Sequence, residues 1–277
     1  MTRVALLLAL ALAAAAGPAK AQFRLDINRI LDTAKSAQRA AIDVGEKDEI
    51  EIGRELASTL LGAAPLVANE AMQRYVQSVG RWLASQTERP DLPWQFGVLD
   101  APQLNAFATP GGYILVTRGL LERMRSEAEL AGVLAHEIAH VLQKHHLKAI
   151  QKSGQVGLAT GVLSLAIQDR NSLARDKLIS FGTEMYSRGL DRGDELEADR
   201  LGVVIAARAG YDPYGLPAVL LTLQAMNPED SGLALMFKTH PKPAERLEAI
   251  EKQSPLLDAY AGQPQLEDRF SSTLSQK

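Results

Sequence analysis

The chain has 277 residues, with 30 Lys and Arg against 33 Asp and Glu, a formal net charge of −3 and no cysteine. A mildly acidic balance without a basic run leaves no electrostatic footprint for nucleic acid, so no such partner is expected. The missing thiols exclude disulfides and leave only nitrogen and oxygen donors for any metal.

Residues 1–21 read as a secretory signal peptide: Arg3, the apolar stretch Val4 to Ala16, then Ala19-Lys20-Ala21 as a cleavage pattern. The stretch is shorter than the roughly 20 residues of a membrane span. With no lipobox cysteine either, the expectation is an exported, soluble protein without a stable membrane span. The remainder divides into one domain over 22–262 and a polar tail over 263–277 that is expected to fray.

Helical periodicity covers 25–45, 46–61 and 68–86, where Met72, Tyr75, Val76, Val79 and Leu83 share a face. A strand around Trp94 to Leu99 follows. Asn105 to Val116 then reads as strand, Pro-Gly-Gly turn, strand. The first of these strands, Asn105, Ala106, Phe107 and Ala108, is expected either to cover the core or to act as an edge that pairs with an extended peptide.

Ser126 followed by Glu129 is a capping box, and the apolar face of Leu130, Val133, Leu134, Ile138, Val141 and Leu142 predicts a helix over 126–148. Within it, the run HEIAH places His136 and His140 one turn apart, so that both rings reach one ion, with Glu137 beside them as general base. A catalytic zinc is the chemistry this spacing serves, one ion per chain. Two core histidines around a buried Glu would instead need partners for every polar atom. His145 lies about 140° off the ligand face of a continuous helix, so it and His146 are expected to meet the C-terminal dipole or solvent.

The stretch 157–167 is apolar but too short to span a bilayer and reads as a core helix; the polar connection 168–193 could form a lid over the cleft or be a plain linker, and 168–187 within it is expected to be mobile. The run DELEAD then opens a second helix ended by Gly210 and Pro213. Glu195 and Asp199 are i and i+4 there, and either could meet a metal or orient a ligand. Glu195 is assigned as third ligand, and Asp199 as the acceptor that holds a histidine by its other ring N–H. Glu197 points elsewhere, about 200° around the helix. His240 precedes Pro241 and should lie in an extended loop. Arg246 either stabilises developing negative charge or pairs with a carboxylate.

HEIAH followed by Glu-Leu-Glu-Ala-Asp resembles the gluzincin metallopeptidases of family M48, and the stretches 105–116 and 239–246 resemble its hairpin and its downstream His-Pro motif. The similarity is to the soluble periplasmic branch, without its helical-repeat extension. It implies a mainly α fold with a small β-sheet (α+β), zincin-like, the active-site helix lying beside the hairpin. It further implies zinc held by His136, His140 and Glu195, Glu137 as catalytic base, and His240 near the metal as a helper or a gate. Unfolded or misassembled envelope proteins would be the partners, together with the outer-membrane assembly machinery. A chaperone or assembly factor with a structural or latent zinc is the alternative, because a groove for extended peptide serves both.

Overall fold

A computed structural model describes residues 44–153, 189–227 and 232–275. The signal peptide, nearly all of the helix over 25–45, the helix over 157–167 and residues 168–188 of the connection over 168–193 lie outside the described residues.

Helix α1 (Glu46–Ala63) carries Glu46, Asp48 and Glu49 in its first turn, where the dipole favours negative charge. Glu49 is fully buried and is met by Arg89 Nη1 at 2.8 Å and Lys144 Nζ at 3.3 Å. Helix α2 (Glu70–Ser85) is capped by Asn69, whose side chain accepts from the Met72 amide, and it buries Met72, Val76, Val79 and Leu83. That is the face its periodicity predicts.

Strands β1 (Gln95–Leu99), β2 (Ala106–Thr109) and β3 (Tyr113–Thr117) form one sheet in the order β1-β3-β2. β3 runs parallel to β1 and antiparallel to β2. The β2–β3 turn is Pro110-Gly111-Gly112, with both glycines at positive φ (75° and 101°), a region that side chains disfavour. Gly111 also lies on α1, where a Cβ would come 2.5 Å from Ile50 Cα.

After the single turn α3 (Arg118–Leu121) comes α4 (Glu127–Leu142), which is buried at every residue from Glu127 to Val141. Ser126 Oγ accepts from the Glu129 amide at 3.1 Å, and Glu129 Oε2 accepts from the Arg125 amide at 2.8 Å, a capping box closed one residue wider than usual. A helix this apolar all round must be enclosed, and α4 packs against α2, β2, β3, α6 (Arg192–Arg208) and α7 (Gly215–Gln224). Leu130, Leu134 and Ile138, all fully buried, each contribute about 1.5–3 kcal/mol through removal from water. The approach of α6 is close, since a Cβ on Gly202 would lie 2.9 Å from the His136 amide nitrogen.

The single helix expected over 126–148 is two. Lys144 takes φ 55°, and a separate helix α5 (His145–Ser153) begins after it. Helix α6 ends as expected, with Gly210 at φ 87° just beyond it. Helices α8 (Ala234–Thr239), α9 (Pro243–Glu251) and α10 (Ser254–Leu257) follow.

The tail does not fray over its described residues. Helix α11 (Glu267–Leu274) buries Phe270 against Tyr75, ring centroids 6.4 Å apart, and Arg269 pairs with the fully buried Glu127 at the start of α4. A polar average hid one anchoring aromatic. Phe270→Ala should cost about 3–5 kcal/mol, read as a lower denaturation midpoint, whereas a frayed tail would show no change.

Most of the described chain is helix, with one three-stranded sheet beside the HExxH helix, the α+β zincin-like arrangement. No helix among the described residues is long and apolar enough to cross a membrane.

Candidate active site

All five histidines of the chain fall in one cluster: His136 and His140 on α4, His145 and His146 on α5, and His240 at the end of α8. His136 and His140 face each other through their Nε2 atoms at 3.1 Å. From α6, the Glu195 carboxylate approaches His136 Nε2 at 3.7 Å and His140 Nε2 at 3.6 Å. These contacts are too long for hydrogen bonds.

The other ring nitrogens decide which protons are present. His136 Nδ1 donates to Asp199 Oδ1 at 2.9 Å, and Asp199 is held in turn by the guanidinium of Arg246, with Nη2 to Oδ1 at 2.6 Å and Nε to Oδ2 at 2.9 Å. Arg246 Nη2 also lies 3.4 Å from His136 Nδ1, but the shorter Asp199 contact claims that proton. His140 Nδ1 lies 3.0 Å from His145 Nδ1, and His145 Nε2 reaches Glu197 Oε2 at 3.3 Å. A neutral His145 that donates to Glu197 must accept from His140. Both Nε2 atoms on the cleft side therefore carry lone pairs, which repel at 3.1 Å unless a cation lies between them.

Three observations test the fit to zinc. The corners of a tetrahedron with bonds near 2.0–2.2 Å are about 3.4 Å apart, close to the separations of the two nitrogens and the carboxylate. Glu195 Oε2 is buried without a hydrogen-bond partner. Burial raises Glu195 well above the usual carboxylate range, so without a cation it would be driven to take up a proton. The residues fit the ion.

The surroundings keep the donors ready. Burial first, then neighbouring positive charge, keeps His136 and His140 from protonating. Burial alone would raise Asp199, but Arg246 and His136 hold it well below its ordinary value. Glu137 is buried beside the two rings, and burial pushes it up to about 8. His240 directs Nε2 at Glu195 Oε2, 3.7 Å away, with Thr239 Oγ1 at 2.9 Å from its Nδ1. Asn105, Ala106, Phe107 and Ala108 line the same cavity as Glu137, His140, Glu195 and His240.

His145 and His146 are corrected. Neither faces solvent: both are buried at the start of α5, with ring centroids 5.1 and 5.4 Å from that of His140. The left-handed turn at Lys144 breaks the straight-helix geometry that excluded them. Glu197, also set aside from the site, backs His145. Such outer partners tune metal affinity, so His145→Ala should weaken zinc binding about 10–100-fold in a competition titration; unchanged affinity would reduce His145 to packing.

The geometry is that of a metallopeptidase centre. Residues 70–254 match the profile of Peptidase family M48, and the chain belongs to that family. It is 28% identical over 214 residues to the "Beta-barrel assembly-enhancing protease" of Escherichia coli (strain K12), covering 75% of this chain and 44% of that protein. It is 31% identical over 189 residues to the "Putative beta-barrel assembly-enhancing protease" of Vibrio cholerae, covering 66% and 39%. With the "Mitochondrial metalloendopeptidase OMA1" of Schizosaccharomyces pombe it shares 32% identity over 183 residues, covering 65% and 52%. The matched region thus spans about half or less of each relative.

Proposed function

We propose that this protein is a zinc-dependent endopeptidase of the bacterial periplasm that removes misfolded or misassembled envelope proteins. One observation carries the reading: two histidine lone pairs and an orphaned carboxylate converge in a buried cleft beside Glu137. The compartment rests on the export pattern of 1–21, and the substrate class on the names of the assembly-enhancing relatives.

His136, His140 and Glu195 would hold the ion. Zinc, when bound, supplies Lewis acidity to a water and to the scissile carbonyl. Glu137 takes a proton from the attacking water on its carboxylate and returns it to the nitrogen of the leaving amine. Asp199, locked by Arg246, keeps the His136 ring turned so that Nε2 faces the cleft. His240 helps at the cleft during turnover or closes it when no peptide is present.

Metal analysis of the purified full-length protein, coupled to cleavage of unfolded casein, tests this. About one zinc per chain is expected from a three-ligand site. Cleavage should stop with chelator and return with zinc. A zinc-replete protein that cuts neither casein nor quenched peptides would overturn the reading.

A further inference from the structure

Lys144 separates α4 from α5 in a backbone conformation that its own chemistry does not favour. Its φ of 55° is left-handed, a region that side chains disfavour and that glycine usually fills. Its carbonyl accepts the first bond of α5, from the Lys148 amide at 2.9 Å, so it also stands where a capping Ser, Thr, Asp or Asn normally sits. A lysine side chain has no acceptor and cannot cap. Both local devices that fix such a turn are missing, so a distant contact must hold it.

That contact comes from α1. Glu49 Oε2 lies 3.3 Å from Lys144 Nζ, and the same carboxylate accepts from Arg89 Nη1 at 2.8 Å, Arg89 Nη2 at 3.1 Å and the Gly111 amide at 3.3 Å. Arg89 is tied in addition to Glu46 at 3.0 Å, so the carboxylate is locked in place where Lys144 meets it. Beyond the pair, Leu147 and Ile150 of α5 close on Ile52 and Leu56 of α1, a small apolar cluster apart from the main core. Helix α5 is thus seated by α1, and its first residue is His145, whose Nδ1 lies 3.0 Å from His140 Nδ1.

We propose that Glu49 is a positioning residue for the metal centre: its ion pair with Lys144 fixes the left-handed turn that brings His145 onto His140, and so sets the affinity for zinc. Glu49 acts through Lys144, His145 and His140 in turn, not by touching the ion. The proposal rests on the zinc-peptidase reading and deepens it, naming what orients the His140 ring.

Zinc affinity of the full-length protein, read by competition with a chromophoric chelator, tests this, and two substitutions of the half-buried Lys144 separate the turn from the charge. Lys144→Met loses the ammonium but keeps the left-handed strain, and should weaken zinc binding about tenfold, the low end of what a partner outside the ligand set is worth. Lys144→Gly loses the same ammonium yet takes the turn without steric cost, and should stay within about threefold of the wild type. Coulomb's law alone predicts the opposite sign for Lys144→Met, because removing one cation favours the binding of another. Glu49→Gln should weaken zinc binding about as much as Lys144→Met, and adding Lys144→Gly to it should restore most of the loss. A carboxylate that serves only folding would lower the denaturation midpoint in Glu49→Gln while the folded protein bound zinc as before. Equal affinities of Lys144→Met and Lys144→Gly, whether both intact or both weakened, overturn the proposal even if Glu49→Gln does not fold, and leave the peptidase standing. A wild-type protein that binds no zinc removes both.

Discussion

Glu137→Gln should lower kcat/KM on a quenched peptide by about 10²–10⁴-fold, the usual worth of a positioned general base, while zinc content stays at the wild-type level. The two outcomes separate if the ion sits among His136, His140 and Glu195; Glu137 converges instead with His136 and His240. The group of His136, His140 and Glu195 closes without it, whereas its carboxylate borders the cavity where a water and a peptide would meet. Gln keeps the size and the hydrogen-bonding reach but cannot take a proton. Loss of zinc in this variant would make Glu137 a structural member of the metal site. Retained cleavage would remove it from the reaction.

Arg246→Leu should destabilise the protein by about 3–5 kcal/mol, measured by chemical denaturation of both zinc-free and zinc-loaded protein. The Asp199 carboxylate is fully buried, and Arg246 bonds both of its oxygens. Removing the guanidinium leaves a charge without water or counter-ion, and this term dominates the lost packing. Arg246→Lys should fall between, since an ammonium keeps the charge but not the two-pronged geometry. Replacing Asp199 and Arg246 together by apolar residues should cost less than Arg246→Leu alone. A stability loss below about 1 kcal/mol for Arg246→Leu would mean that solvent reaches Asp199.

Sequence periodicity located the elements that carry the site because their patterns are local. The capping box at Ser126, the apolar face of α2, the Pro-Gly-Gly turn and the glycine beyond α6 each act within about one or two turns of chain. The pairing of His136 with His140, and of Glu195 with Asp199, is equally local and needs only helical spacing. What stayed hidden depends on where distant segments meet. A lysine, not a glycine or proline, takes the left-handed turn at position 144, so nothing in the string warned that the helix breaks and returns His145 to His140. Arg269 binds Glu127 across about half of the chain, and Phe270 sits in an otherwise polar segment, so composition misread the C-terminal helix. Arg246 was open between two roles; the structure sets it against Asp199.

The bare α-carbon of Gly202 lets the backbone of α6 rest on that of α4 at His136. Two rods in contact at such a point cannot slide past one another: a shift of one residue would carry Glu195 about 1.5 Å along the axis, most of a coordination bond's length. The spacing between imidazoles and carboxylate is thus gauged by main-chain contact before any ion arrives. A methyl group at position 202 would act as a shim, prising the two halves of the metal cage apart while leaving every donor atom in the sequence.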